Sequence, residues 1–141
     1  MDYIVFDLEW NQCPDGKERE VPALPFEIIE IGAVKLNSER KMVDKFHCLV
    51  RPVVYPKLHF RTREIVKKTE EELRQGMAFP EAVTRFLNWA GSEVQFCTWG
   101  AGDLIELQRN MKYYGILSMM KGPLHFYDVQ KLFAINYENT K

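Results

Sequence analysis

The chain has 141 residues, 46% of them hydrophobic and 28% charged, which suits one globular domain with a substantial core and argues against disorder. A formal net charge of −1 excludes a globally basic nucleic-acid binder, so a polyanion must be met by a local patch, for which Lys57, Arg61, Arg63, Lys67 and Lys68 are the candidates. No stretch approaches a bilayer span and an acid stands at position 2 where a leader would be basic and apolar, so the expected setting is cytoplasmic, with no membrane partner.

Ile4 to Trp10 alternates as a strand. A polar loop containing Pro and Gly, residues 11–25, leads to a second strand at 27–36, apolar on both faces and therefore interior to a sheet. After a turn at residues 37–40, Met42 to Val50 places Phe46, Cys48 and Val50 inward, and the first three strands read as an antiparallel meander ended by Pro52 and Pro56. The period then changes from two to 3.6. Residues 60–73 suggest one or two short helices, and Phe79, Ala82, Val83, Phe86, Leu87 and Ala90 form an amphipathic stripe bracketed by Pro80 and Gly91. A short strand at 94–98, a helix through Leu104, Leu107, Met111 and Tyr114, a last strand at 125–127 and a helical pattern through Val129, Leu132 and Phe133 follow. The order β-β-β-α-β-α-β-α predicts an α/β fold whose mixed sheet is antiparallel first and parallel later, flanked by helices, in a single domain over 1–141. Cys13, Cys48 and Cys97 lie far apart with no CxxC pair, which suggests neither zinc nor a disulfide framework.

Within the first strand, Asp7 and Glu9 project to one side while Ile4, Phe6 and Leu8 fill the other. Adjacent anions repel, and near an apolar run they need a cation or several donors. Two readings are open on this segment alone: half of a site for a hard cation such as Mg²⁺ or Mn²⁺, or a solvated strand end. With 6 Asp and 14 Glu in the chain, about one Asp-x-Glu arises by chance, so context must decide. Asp103 follows a strand through Trp99-Gly100-Ala101-Gly102 and opens a helix, where either a ligand site or a helix cap is expected. Glu30, between Ile29 and Ile31 and beside the first strand, either supports the acidic pair by orienting a ligand or a basic side chain, or reaches water at the sheet edge.

Asp7-Leu8-Glu9-Trp10, the strand Ile28-Ile-Glu-Ile-Gly-Ala-Val34 and Thr98-Trp-Gly-Ala-Gly-Asp103 together resemble the DEDD exonucleases of the histidine-containing branch, the RNase T and DNA polymerase III proofreading-subunit type. The likeness runs over residues 3 to 133, and Trp99-Gly100 brings it nearest the subgroup of 3′-to-5′ RNA exonucleases. It implies a ribonuclease H-like fold, catalytic and metal-holding roles for Asp7, Glu9 and Asp103, a two-metal Mg²⁺ or Mn²⁺ centre, and a nucleic-acid 3′ end as partner. It also implies substrate contacts at Leu8, Trp10, Trp99 and Gly100, with Glu9 and the backbone at Trp10 meeting the terminal ribose. Trp10, small in many relatives, either stacks on the terminal base or packs the core.

The family's third motif sets a histidine five residues before a fourth aspartate. No His-x4-Asp occurs here: His59 precedes Glu64 at that spacing but ahead of the first helix, and His47 and His125 have no acid there. His47 and His125 read as structural or surface groups, and Asp128 as a helix cap. The expectation is a C-terminally incomplete domain lacking its last helix, with swapping between copies as one route to self-association. Three functions remain: a metal-dependent 3′-5′ exonuclease on RNA or single-stranded nucleic acid, an inactive fragment or pseudo-exonuclease that binds such ends, and a scaffold for protein contacts.

Overall fold

The computed structural model describes residues 1–120 and 126–128. Five strands, β1 (Asp2–Gln12), β2 (Phe26–Leu36), β3 (Met42–Leu49), β4 (Val94–Thr98) and β5 (Phe126–Asp128), form one sheet in the order β3-β2-β1-β4-β5. β2 runs antiparallel to both β1 and β3, whereas β4 and β5 run parallel to β1, as the change of period along the sequence predicts. The helical pattern from Val129, the cap assigned to Asp128 and the place of His125 lie outside the described residues or their described side chains.

The region 60–73 forms two helices, α1 (Phe60–Ile65) and α2 (Glu70–Arg74), each with its own start signal. His59 caps α1 by accepting from the Arg61 amide, and Thr69 and Glu72 make a reciprocal capping box at α2. That cap explains why His59 is bound into local structure. α3 (Phe79–Ala90) has Pro in its first turn and stops at Gly91, whose φ of +90° an L-residue adopts only with strain. α4 (Gly102–Tyr113) follows β4 directly, and a 3₁₀ turn at Lys17–Arg19 interrupts the β1–β2 loop.

Ile4, Phe6 and Leu8 pack with Ile31, Ala33, Cys48, Phe79, Ala82, Val83, Phe86, Leu107 and Met111 in the main core, beneath α3 and α4. Phe86 sits at its centre, with ring centroids 5.7 Å from Phe6, 5.6 Å from Phe46 and 6.2 Å from Phe96. A second core of Ile29, Leu58, Val66 and Leu73 seats the α1–α2 segment. Burial on the scale of Phe86 contributes about 2–3 kcal/mol. The consequence for function is rigidity: the apolar side of β1 is locked, so its acidic side is held in place. No helix among the described residues is long and apolar enough to cross a membrane.

Candidate active site

β1 and β4 run parallel side by side, with Val5 opposite Cys97, so both strands end at the same edge of the sheet. From there Thr98 leads into the turn before α4; its hydroxyl donates to the Gly100 carbonyl, and Gly100 takes φ of +87°. The short turn swings Asp103 back over β1, where its Oδ2 accepts the Leu8 amide at 3.2 Å. Asp103 therefore does not cap its own helix: the residue preceding α4 is Ala101 and makes no side-chain cap. The capping reading is replaced by a contact 95 residues distant in sequence.

This contact brings Asp103 against Asp7. The two carboxyls share a hydrogen bond, and the Asp103 carboxyl is pushed up to about 7, first by desolvation, then by that bond and the charge of Asp7, with the Leu8 amide opposing. Glu9 is also raised, by desolvation first and then by Asp7 and Glu30. No lysine or arginine among the described residues pairs with Asp7, Glu9 or Asp103. Three oxygen-only donors side by side, two of them raised first by burial and then by their acidic neighbours, suit a hard divalent cation. They are not yet closed into a cage: among the described residues no three His, Cys, Asp or Glu side chains already form a metal-binding group. The arrangement is a contacting pair, Asp7 and Asp103, with Glu9 alongside.

The other predicted residues fall around this pair. The Leu8 side chain is in the core and its amide is committed to Asp103. Trp10, beyond an irregularity in β1–β2 pairing at Glu9/Trp10, packs against Phe26 with centroids 5.9 Å apart and borders the main core. Trp99 is 60% exposed at the turn before Asp103. Glu30 stands directly across from Glu9 on β2, and its Oε2 meets Nε2 of His47 on β3, so it holds a basic side chain.

Two buried residues that shape the surroundings escaped the sequence reading. Asn11, fully buried, donates from Nδ2 to the Tyr55 and Lys57 carbonyls, both at 2.9 Å, and accepts the His59 amide at 3.0 Å. Glu27, opposite Asn11, accepts the amides of Val53, Val54 and Tyr55 at 2.9, 3.0 and 2.7 Å. Together they pin the loop that delivers α1, with exposed Phe60 and Ile65, to the end of β1. The sequence reading put residue 11 in the loop after the first strand, whereas β1 runs on to Gln12, and the polarity of Glu27 at the start of β2 does not reveal a loop partner.

The exonuclease family profile RNase T matches residues 4–131, nearly the whole chain. The chain belongs to the RNase T exonuclease family. It is 33% identical over 123 residues to the protein named "Probable 3'-5' exonuclease KapD" of Bacillus subtilis strain 168, covering 86% of this chain and 58% of that one. The fold of this RNase T family member is shared with the nuclease domain of 3'hExo, a DEDDh family member solved with rAMP bound, at a TM-score of 0.75 and 22% identity over 97% of this chain and 70% of the other. It is likewise shared with cell-death related nuclease 4, at 0.77 and 18%, over 99% and 48%. The chain thus spans little more than half of the curated relative it matches.

Proposed function

We propose that this RNase T family member is a divalent-metal-dependent 3′-5′ exonuclease that removes nucleotides from the 3′ end of RNA or of single-stranded nucleic acid. The observation that carries the reading is the Asp7–Asp103 contact, made between β1 and the first turn of α4 and compensated by no cation among the described residues. The curated relative is named for this activity, and the solved relatives include one bound to rAMP and one described as recognising the 3′ end of a histone mRNA stem-loop, which favours RNA.

Asp7 and Asp103, with Glu9, would hold Mg²⁺ or Mn²⁺. Such a cation supplies a water of lowered pKa and offsets charge on the scissile phosphate. The chain's own part is positional. The Leu8 amide fixes the Asp103 carboxylate, the parallel pairing of β1 and β4 fixes its distance from Asp7, and the locked core beneath β1 keeps both from drifting. Trp99, 60% exposed at the turn before Asp103, would meet the substrate there, while Trp10 packs on Phe26. The resemblance implies a histidine as general base and, five residues on, a fourth metal-binding aspartate; the 141 residues contain no such pair, and a general base typically contributes about 10²–10⁴-fold.

The test is degradation of a 5′-labelled single-stranded RNA with Mn²⁺, beside Asp7→Ala. A ladder shortening from the 3′ end in the wild type alone supports the exonuclease. Retention of the RNA on the protein with no shortening replaces it with a nucleic-acid-binding role for these residues, and neither binding nor cutting removes both.

A further inference from the structure

The face of the sheet that carries Asp7 and Glu9 continues across β2 and β3 in two cross-strand rows. Asp7 faces Gly32, which faces His47; Glu9 faces Glu30, which faces Leu49. Gly32 needs no special backbone angle, and a Cβ there would meet nothing nearer than the Asp7 carbonyl at 3.9 Å, so its row is open above the strand. Glu30 is one cross-strand position from Glu9, a separation of about 4.5–5.5 Å between Cβ atoms. A carboxylate so placed can turn toward a cation held by Glu9. It does not point that way: Glu30 Oε2 is engaged by His47 Nε2 from the β3 side. The His47 side chain is 56% exposed and Glu30 only 20%, so the carboxylate is the more enclosed member of the pair.

We propose that His47 is a positioning residue that holds Glu30 out of the metal site, keeping a spare carboxylate off the coordination positions that water and phosphate oxygen must occupy. This role rests on the proposed metal binding by Asp7, Glu9 and Asp103. Hard cations at such centres are bound through few carboxylates and keep several waters, and affinity rises with the number of charged ligands. A fourth carboxylate therefore tightens binding while filling a position the reaction uses. The row geometry gives His47 its reach: with no side chain on Gly32, the ring lies beside Glu30 without crossing bulk.

The experiment is titration of the intact chain with Mn²⁺, followed by the electron paramagnetic resonance of the free ion. Removing the imidazole in His47→Ala is expected to tighten Mn²⁺ binding about tenfold, the effect of one freed negative charge near a dication in a wet site. His47→Ala combined with Glu30→Gln is expected to return within about twofold of wild type, and His47→Gln, whose amide nitrogen can replace Nε2, to stay near wild type. If His47→Ala unfolds, His47→Asn, too short to reach Glu30, carries the same expectation. Unchanged or weaker binding in His47→Ala, or tighter binding that survives Glu30→Gln, overturns the proposal. Asp7→Ala separates the two levels: Mn²⁺ binding that persists without Asp7 refutes the metal site itself, whereas binding lost in Asp7→Ala but unmoved in His47→Ala refutes only the role of His47.

Discussion

Asp103→Asn should stabilise the metal-free protein, and increasingly so as pH rises. In the folded chain the Asp103 carboxyl is pushed up to about 7, against an ordinary 3.8, by burial and by Asp7. An acid whose folded pKa lies above its unfolded one favours folding fully below the unfolded value, and that contribution is lost as pH climbs through the folded value. Wild type should therefore lose stability between about pH 4 and 8 in EDTA. A displacement of that size in a fully buried carboxyl would correspond to about 4 kcal/mol, and partial exposure of Asp103 screens this to roughly 1–2 kcal/mol. Asparagine keeps an oxygen for the Leu8 amide and donates to Asp7, so it removes the repulsion without removing the contact. At about 3–4 °C per kcal/mol for a domain of this size, the mutant should melt roughly 3–8 °C above wild type at pH 8 and level with it near pH 4. Differential scanning calorimetry in EDTA at both pH values measures this. Added Mn²⁺ should reverse the order, because only wild type keeps the full donor set. A melting difference that is flat from pH 4 to 8 would refute the assignment of Asp7 and Asp103 as a mutually strained pair.

Glu27→Gln replaces one of two carboxylate oxygens that together accept three backbone amides, so stability should fall by about 2–3 kcal/mol, read as a lower midpoint in urea with an unchanged slope. Gly76→Ala puts a Cβ 2.8 Å from the Leu49 carbonyl oxygen and 3.0 Å from the Arg51 amide, where backbone must give way; a loss of about 1–3 kcal/mol is expected, and an unchanged melting temperature would show that the crossing is looser than it stands here. Burial pushes the Cys48 thiol up to about 11 and raises Cys97 as well, so a thiolate-specific reagent should label Cys13 first in the folded protein and all three only after unfolding, a sequence that mass spectrometry of timed samples can follow.

Local pattern was enough for the elements of this fold. The two-residue period of Ile4–Leu8, the stripe from Phe79 to Ala90 and the stops at Gly91 and Gly115 report which face of each segment meets the core, and that information lies within a few residues. The acidic side of β1 was legible for the same reason: Asp7 and Glu9 share a face by alternation alone. The partner of Asp7 was not. Taken by itself Asp103 reads as a helix cap, and only the parallel pairing of β1 with β4, closed by the tight turn at Gly100, converts it into a residue that reaches Leu8 and Asp7. The same holds for Glu30, whose contact with His47 depends on the β2–β3 register, and for Asn11 and Glu27, polar residues whose partners lie in a loop about 26 to 48 positions away. Composition and periodicity specify what a segment buries, because burial depends on its own side chains; which charges meet depends on strand order and register, which belong to the assembled sheet.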